Sequence, residues 1–413
     1  MKDRANRKQI IFSLGVFLAM QGVNLMAICK VLIGRNLRIL TPAVMLLTLL
    51  VLTDWDRVYN LRFARQSRSK SWLLLYLFAV TVLSFFSGYD LTQPSYGFVY
   101  QLIYLLTIMA LWNRVDPIDG ETFLRMFFYL SGILCFAAMM LILKNYHQTG
   151  DLYFQGLGRE ADGRSIITRA TTGGIAILMF ASVLSFQARN GVERALRILF
   201  LLMSFFVIFV SRRRSVYIYF LLMLLYWYSM KGTGVRWVSR KTVIRAVLFA
   251  LFMIALLAFL MSNSVTRPIV DRGIRSLTKG IATYIGRTED DVAAMYRHER
   301  LARVPKLIVV DSDVLQFLLG YGYMHEWLDI PMLQAYQDLG LIGGTLFTAV
   351  AIVLPIRMMI TRPENNTVLF VCLISITQII GCFTSGLPYA SAFFPIALLY
   401  YVSDNRQEDE WLS

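Results

Sequence analysis

Twelve stretches of the chain are apolar over most of a membrane-crossing length. They run 9–29, 37–53, 72–87, 96–113, 122–143, 170–187, 195–211, 214–230, 243–261, 332–356, 367–385 and 388–402. A hydrocarbon core about 30 Å thick takes roughly 20 helical residues to cross. Strands of a membrane barrel would alternate apolar and polar with a period of two, which excludes that class. The pattern predicts an all-α polytopic membrane protein of about twelve transmembrane helices. No linker or low-complexity tract divides it, so residues 1–413 read as a single integral membrane domain. The first apolar run has no small-residue cleavage site behind it, so it is predicted as a span.

One long polar segment interrupts the pattern, at 262–331. It carries Arg267, Arg272, Arg275, Lys279, Arg287, Arg297, Arg300, Arg303 and Lys306, then Gly320-Tyr321-Gly322, then His325, Glu326 and Asp329. A shorter polar stretch occupies 144–169.

Charge in the short loops sets orientation, because cytoplasmic loops collect Lys and Arg. The N-terminus, the alternate loops and the C-terminal tail hold 21 Lys/Arg, and the short loops of the opposite side hold six. Both termini are therefore predicted to be cytoplasmic. The segments 144–169 and 262–331, the latter between helices nine and ten, then face outward. Long loops are exempt from the charge rule, so their cations call for another explanation.

The chain is 57% apolar and 16% charged, with net charge +15. In a soluble protein that charge would suggest nucleic acid. Topology accounts for part of it here, and nucleic acid is not expected as a partner. The rest lies on the outward face. Cys29, Cys135, Cys372 and Cys382 lie in apolar runs without metal-ligand spacing and read as small core residues.

The outward cations comprise Arg159, Arg164 and Arg169, the run Arg212, Arg213 and Arg214 between two apolar stretches, and the arginines of the long loop. Guanidinium groups bind phosphate bidentately and tolerate desolvation better than ammonium. Such a set suits a pyrophosphate presented by a lipid of the outer leaflet. Singly, these arginines can instead snorkel to headgroups or pair with Asp271, Glu289, Asp290 or Asp291. For 212–214 the cost of drawing each charge toward the membrane centre is of order 2–3 kcal/mol, which an anionic ligand would offset.

His298, Glu299, His325, Glu326 and Asp329 are candidates for a base that deprotonates a sugar hydroxyl. Asp329 is alternatively a cap for the helix that opens near Pro331. No His-Glu-x-x-His occurs, and the first outward loop, 30–36, holds no acidic residue. Metal-independent chemistry without a cofactor is expected. The small residues Gly173-Gly174 and Gly340 to Gly344 read as positions of close helix packing.

Several features together resemble the O-antigen polymerase and O-antigen ligase superfamily of bacterial integral membrane glycosyltransferases. They are about twelve spans with a large late outward loop, Ser211-Arg212 at the outer end of a mid-chain span, and Arg-x-x-x-Leu in the loop, as Arg303 to Leu307 or Arg297 to Leu301. Gly320-Tyr321-Gly322 and then Gly340-x-x-Gly343 follow in order. The ligase branch is expected to carry a histidine eleven positions before that first glycine. Asp329 stands there, followed by Ile330, which favours the polymerase branch.

The resemblance implies a polysaccharide polymerase of the bacterial cytoplasmic (inner) membrane. It would join undecaprenyl-diphosphate-linked oligosaccharide repeat units by inverting glycosyl transfer. Arg212, Arg213, Arg214, Arg303, Arg300, Arg159 and Arg164 would hold the diphosphate. Asp329 or His325 would act on the acceptor, and Tyr321, Tyr323 and Trp327 would stack on sugars. Membrane lipids and a chain-length regulator are the further partners implied. A ligase acting on lipid A core is the alternative. A transporter of lipid-linked oligosaccharide comes third, because Gln21, Asn24 and Gln378 are the few polar residues seen within spans.

Overall fold

The computed structural model describes residues 2–33, 40–64, 67–86, 97–114, 118–150, 156–159, 165–231, 292–328, 330–361, 363–384 and 393–412, with isolated positions between 262 and 282. Helices stand at every predicted apolar run except 243–261, which lies outside the described residues. They are α1 (Lys2–Ile33), α2 (Leu40–Leu52), α4 (Arg68–Phe86), α5 (Gly97–Trp112), α6 (Gly120–Thr149), α7 (Arg169–Ser185), α8 (Gly191–Ser211) and α9 (Arg214–Lys231). After the polar segment come α12 (Pro331–Thr348), α13 (Leu354–Ile360), α14 (Asn366–Thr384) and α15 (Phe394–Leu412). Shorter helices are α3 (Trp55–Tyr59), α10 (Val292–Val309) and α11 (Val314–Leu319). Among the described residues, six helices are long and apolar enough to cross a membrane: Arg7–Ile33, Arg68–Phe86, Gly120–Thr149, Gly191–Ser211, Pro331–Ile360 and Asn366–Thr384.

The helix ends follow local chemistry. Thr168 and Thr171 form a capping box at α7, and Asn190 Oδ1 accepts from Glu193 N–H at α8. Gly150 closes α6 in the left-handed conformation at φ 70°. Between α12 and α13 a π turn, Ala349–Val353, takes up the backbone strain of Pro355, which has no N–H to donate.

One expectation is corrected. The fold is not wholly α: Leu157–Arg159 (β1) pairs antiparallel with Ser165–Ile167 (β2). Gly156 and Gly158 adopt φ 150° and 67° there, and a Cβ on Gly156 would lie 2.4 Å from Ser165 Oγ. Within the long polar segment, α10 and α11 are helical. Leu301, Val304 and Ile308 recur at helical spacing and pack on Leu328, Ile330 and Leu333, which gives α10 an apolar face to bury.

Contacts divide the bundle into two ends. At one end Arg125 bridges Glu121 (2.9 Å) and buried Glu193 (3.3 Å), and Arg189 pairs with Glu121, which pins the start of α6 to the start of α8. Asp119 N–H donates to Gln9 Oε1 at 3.2 Å, and Lys8 lies 3.8 Å from Asp56. The tails of α9 and α13 reach the same end, where Trp227 Nε1–H donates to Leu184 O and Tyr226 OH to Met359 O. Arg114 lies over the Phe12 ring and Lys70 over the Tyr401 ring.

At the other end a Cβ on Gly158 would meet Val31 at 3.0 Å, so β1 sits by the tail of α1. One on Gly173 would meet Val216 at 2.5 Å, so the close packing expected at Gly173 is found, between the starts of α7 and α9. Because α13 ends with the first set, the start of α12 belongs here. Arg169, residues 211–216 and the 320–328 loop therefore share one end of the bundle.

The core between the ends is aromatic. Phe127 is fully buried, 4.7 Å from Phe123 and 5.0 Å from Phe370 by ring centroid, and it joins α1, α6 and α14 through Phe17. Phe127→Ala should lower the unfolding free energy by about 3–5 kcal/mol, read as an earlier thermal transition of the detergent-solubilised protein.

Candidate functional site

The site is built around a break in α12. Gly340 adopts φ 65° and ψ −166° inside an otherwise helical run. An α-helix broken there leaves the carbonyls just before the break without their amides. Loop amides take them instead: Tyr321 N–H donates to Gln337 O at 2.9 Å and Gly322 N–H to Asp338 O at 3.0 Å. The crossing is so close that a Cβ on Gly320 would lie 2.4 Å from the Asp338 carbonyl, and one on Gly340 would lie 2.4 Å from Gly320 N. Gly340 was expected to serve helix packing. Its hydrogen in place of Cβ instead lets a loop backbone lie against the helix backbone.

Side chains of the same helix fasten the rest of the loop. Asp338 Oδ2 accepts from Met324 N–H at 2.8 Å, and both Asp338 oxygens accept from Gln334 Nε2 at 2.9 Å. Gln334 Oε1 accepts from Leu328 N–H (2.8 Å), and its Nε2 donates to Glu326 O (2.7 Å). Gln334, Gln337 and Asp338 are all fully buried. Neither amide atom of Gln337 has a hydrogen-bond partner among the described residues. Asp338 also interacts electrostatically with Tyr76 of α4, as do Tyr323 and Cys382.

What this holds outward is a small charged surface. His325 is exposed and stacks on Tyr321 at 5.2 Å and 29°. Tyr321 OH reaches Leu307 O of α10 at 3.3 Å, and Trp327 stands 50% exposed. Arg303 of α10 binds both oxygens of Glu326, one at 2.6 Å. The Glu326 carboxylate, by hydrogen bond and by charge, holds the Arg303 guanidinium above its usual pKa. The pair is exposed, so it is worth little in water. Arg300 is half-buried on the same helix, with His298 and Glu299 exposed beside it.

The second group is the α8–α9 turn. Arg212 ends α8 in the left-handed conformation (φ 48°, ψ 27°) and is only 9% exposed. Tyr217 OH donates to Phe209 O at 3.0 Å across the turn, and Ser211 Oγ–H donates to Ile208 O. Arg213 and Arg214 are half-buried. The strained backbone lets three cations turn together at the mouth of the bundle, at the end that also carries Arg169.

The structure thus joins Arg303 to Glu326 and Tyr321 to His325, and gathers both groups at one end of the bundle. Tyr323 is held against the core, so of the three aromatic candidates Trp327 offers the freest face. Arg159 lies on β1, its side chain outside the described residues, as are Asp329 and Arg164. Ile330, and not Asp329, occupies the cap position of α12, with Pro331 supplying the first helical residue. Sequence reasoning missed Asp338, Gln334 and Gln337. Their signal was present: three polar residues at spacings of three and four on one face of an apolar run. No group of three or more His, Cys, Asp or Glu is gathered among the described residues.

No known protein-family model matches the chain, and no curated protein matches it either.

Gly340→Ala should cost roughly 2–4 kcal/mol through a disfavoured φ and a backbone clash with Gly320. The loss would appear as reduced folded yield and an earlier melt, with Gly191→Ala, where an added Cβ meets nothing within 4 Å, as the milder comparison.

Proposed function

We propose that the protein is a membrane glycosyltransferase that polymerises lipid-carried oligosaccharide repeat units. The observation that carries this reading is the gathering at one bundle end of two complementary groups. One is the arginine turn at 212–214, half-sunk in an apolar bundle. The other is the fastened loop of 320–328, which offers a histidine, an acid and aromatic faces.

The division of labour follows from chemistry. Cations fixed in a poorly solvated turn suit a diphosphate leaving group, whose charge grows as the glycosyl bond breaks. A lipid diphosphate held at the bundle mouth keeps its polyprenyl tail in the hydrocarbon and its sugars in water. His325 and Glu326, with Asp329, are the groups available to orient or deprotonate an acceptor hydroxyl. Trp327 is suited to lie against a sugar ring. We place this end on the outer face of a bacterial cytoplasmic membrane, since the opposite end carries the Lys/Arg-rich short loops. The transfer is read as inverting and metal-independent, with undecaprenyl diphosphate as the carrier. The buried carboxylate of Asp338 does not argue for a transporter, because its bonds go to the loop and to its own helix.

Deleting the gene should collapse the surface glycan ladder, on a gel, to lipid A core bearing one repeat unit. Bare core with long chains left on the lipid carrier would instead identify a ligase, and an unchanged ladder would remove both readings for that glycan.

At the arginine turn, Arg212→Gly removes the charge while keeping a residue that accepts φ 48°. It should leave the melting behaviour near that of the parent and slow polymerisation about a hundredfold. Arg212→Lys should recover part of that loss, lacking the planar fork. Full activity in Arg212→Gly would overturn the diphosphate role.

A further inference from the structure

We propose that Asp338 is the positioning residue of the site. Its carboxylate sets the loop that presents His325, Glu326 and Trp327, without itself touching substrate. The effect on rate rests on the polymerase reading, while the effect on the loop does not.

The burial comes first. Asp338 has no exposed surface, seven residues or about 10 Å down the helix from Pro331. A carboxylate there is costly unless its hydrogen bonds are made. The three bonds it makes to Met324 N–H and Gln334 Nε2 are all received and none is given. Gln334 is not free to turn over, because its Oε1 holds Leu328 N–H and its Nε2 also holds Glu326 O. The pair therefore requires a group that only accepts. Asparagine would set an N–H against one of these donors.

The second observation lies in the loop. Met324, whose amide the carboxylate holds, has φ 57°, a conformation unfavourable for a residue with a Cβ. Asp338 fixes this strained residue from its side chain, and holds Gly322 N–H from its own carbonyl. His325 and Glu326 follow Met324 directly, so the angle at Met324 aims both. Glu326 in turn sets Arg303 through their pair.

A third observation sits one residue away. Gln337 is fully buried with neither amide atom paired among the described residues, a cost that well-packed helices avoid. Strain and unpaired groups kept side by side mark a place held for geometry and not for stability.

The test uses the full-length protein in nanodiscs and the variant Asp338→Asn. Amide hydrogen exchange over 320–328 should speed about tenfold or more, while peptides from 366–384 keep their protection. In reconstituted polymerisation the KM for the lipid-linked unit should rise about tenfold. A smaller folded fraction would lower the maximal rate at unchanged KM, so the shift in KM separates positioning from mere instability. Unchanged loop exchange, or a KM and a rate per folded molecule both equal to the parent's, would overturn the proposal. Should Asp338→Asn lose protection throughout, Asp338→Ala decides, since it removes the carboxylate without burying an opposed amide: loosening confined to 320–328 supports the proposal and an unaltered loop sinks it. If the parent protein forms no polymer, the polymerase reading fails, and the exchange measurement still settles the role of Asp338.

Discussion

A helix inside an apolar bundle has no water to take its backbone carbonyls, so a break must be repaired by other protein groups. The break at Gly340 is repaired by the amides of Tyr321 and Gly322, which take Gln337 O and Asp338 O. The seating of the 320–328 loop follows from that substitution. It forces two backbones into contact, and therefore glycine at 320 and at 340, where a Cβ would meet backbone at 2.4 Å. It fixes the depth to which the loop descends. It also brings Met324 within reach of the Asp338 carboxylate, so the side-chain bonds come after the backbone ones and refine them.

The two ends of the bundle use charge differently. At the end with Glu121, Arg125, Arg189 and Glu193, acids and bases neutralise one another and join α6, α7 and α8. That arrangement resists displacement, because Glu193 is buried and each partner is shared. At the opposite end three arginines lie consecutively in one turn whose first member is in a left-handed conformation. Consecutive cations repel, and partial burial raises that cost. On the proposed reading, this turn is the part that receives the carrier's diphosphate.

The sequence pattern made the helices legible because burial in lipid demands long apolar runs, and the helices lie where those runs do. Cap chemistry at Thr168, Asn190 and Gly150 sharpened their ends. The site was legible only in outline. Arg212, Arg303 and His325 stand out as polar residues beside apolar ones, and all three come to one end. Asp338 did not stand out, because its importance depends on where a loop from another part of the chain lands. Gly340 was misread for a related reason. Close packing and a chain break both require a missing side chain, and spacing alone does not separate them. The β1–β2 ribbon was hidden because three-residue strands leave no period to detect.

Arg303 shows how the two groups at this end would work together on the proposed reading. Its guanidinium is occupied by Glu326, yet the pair is exposed and therefore weak in water. A diphosphate carries more charge than one carboxylate and binds the same fork. Its arrival would displace Glu326 at little cost. The freed carboxylate would then sit on a loop that Asp338 and Gln334 keep still, next to His325 and in reach of an incoming hydroxyl. Donor binding and acceptor activation would thus be linked through one exchangeable ion pair. The half-buried 212–214 turn would bear the standing affinity for the carrier, and Arg303 would report its presence to the loop.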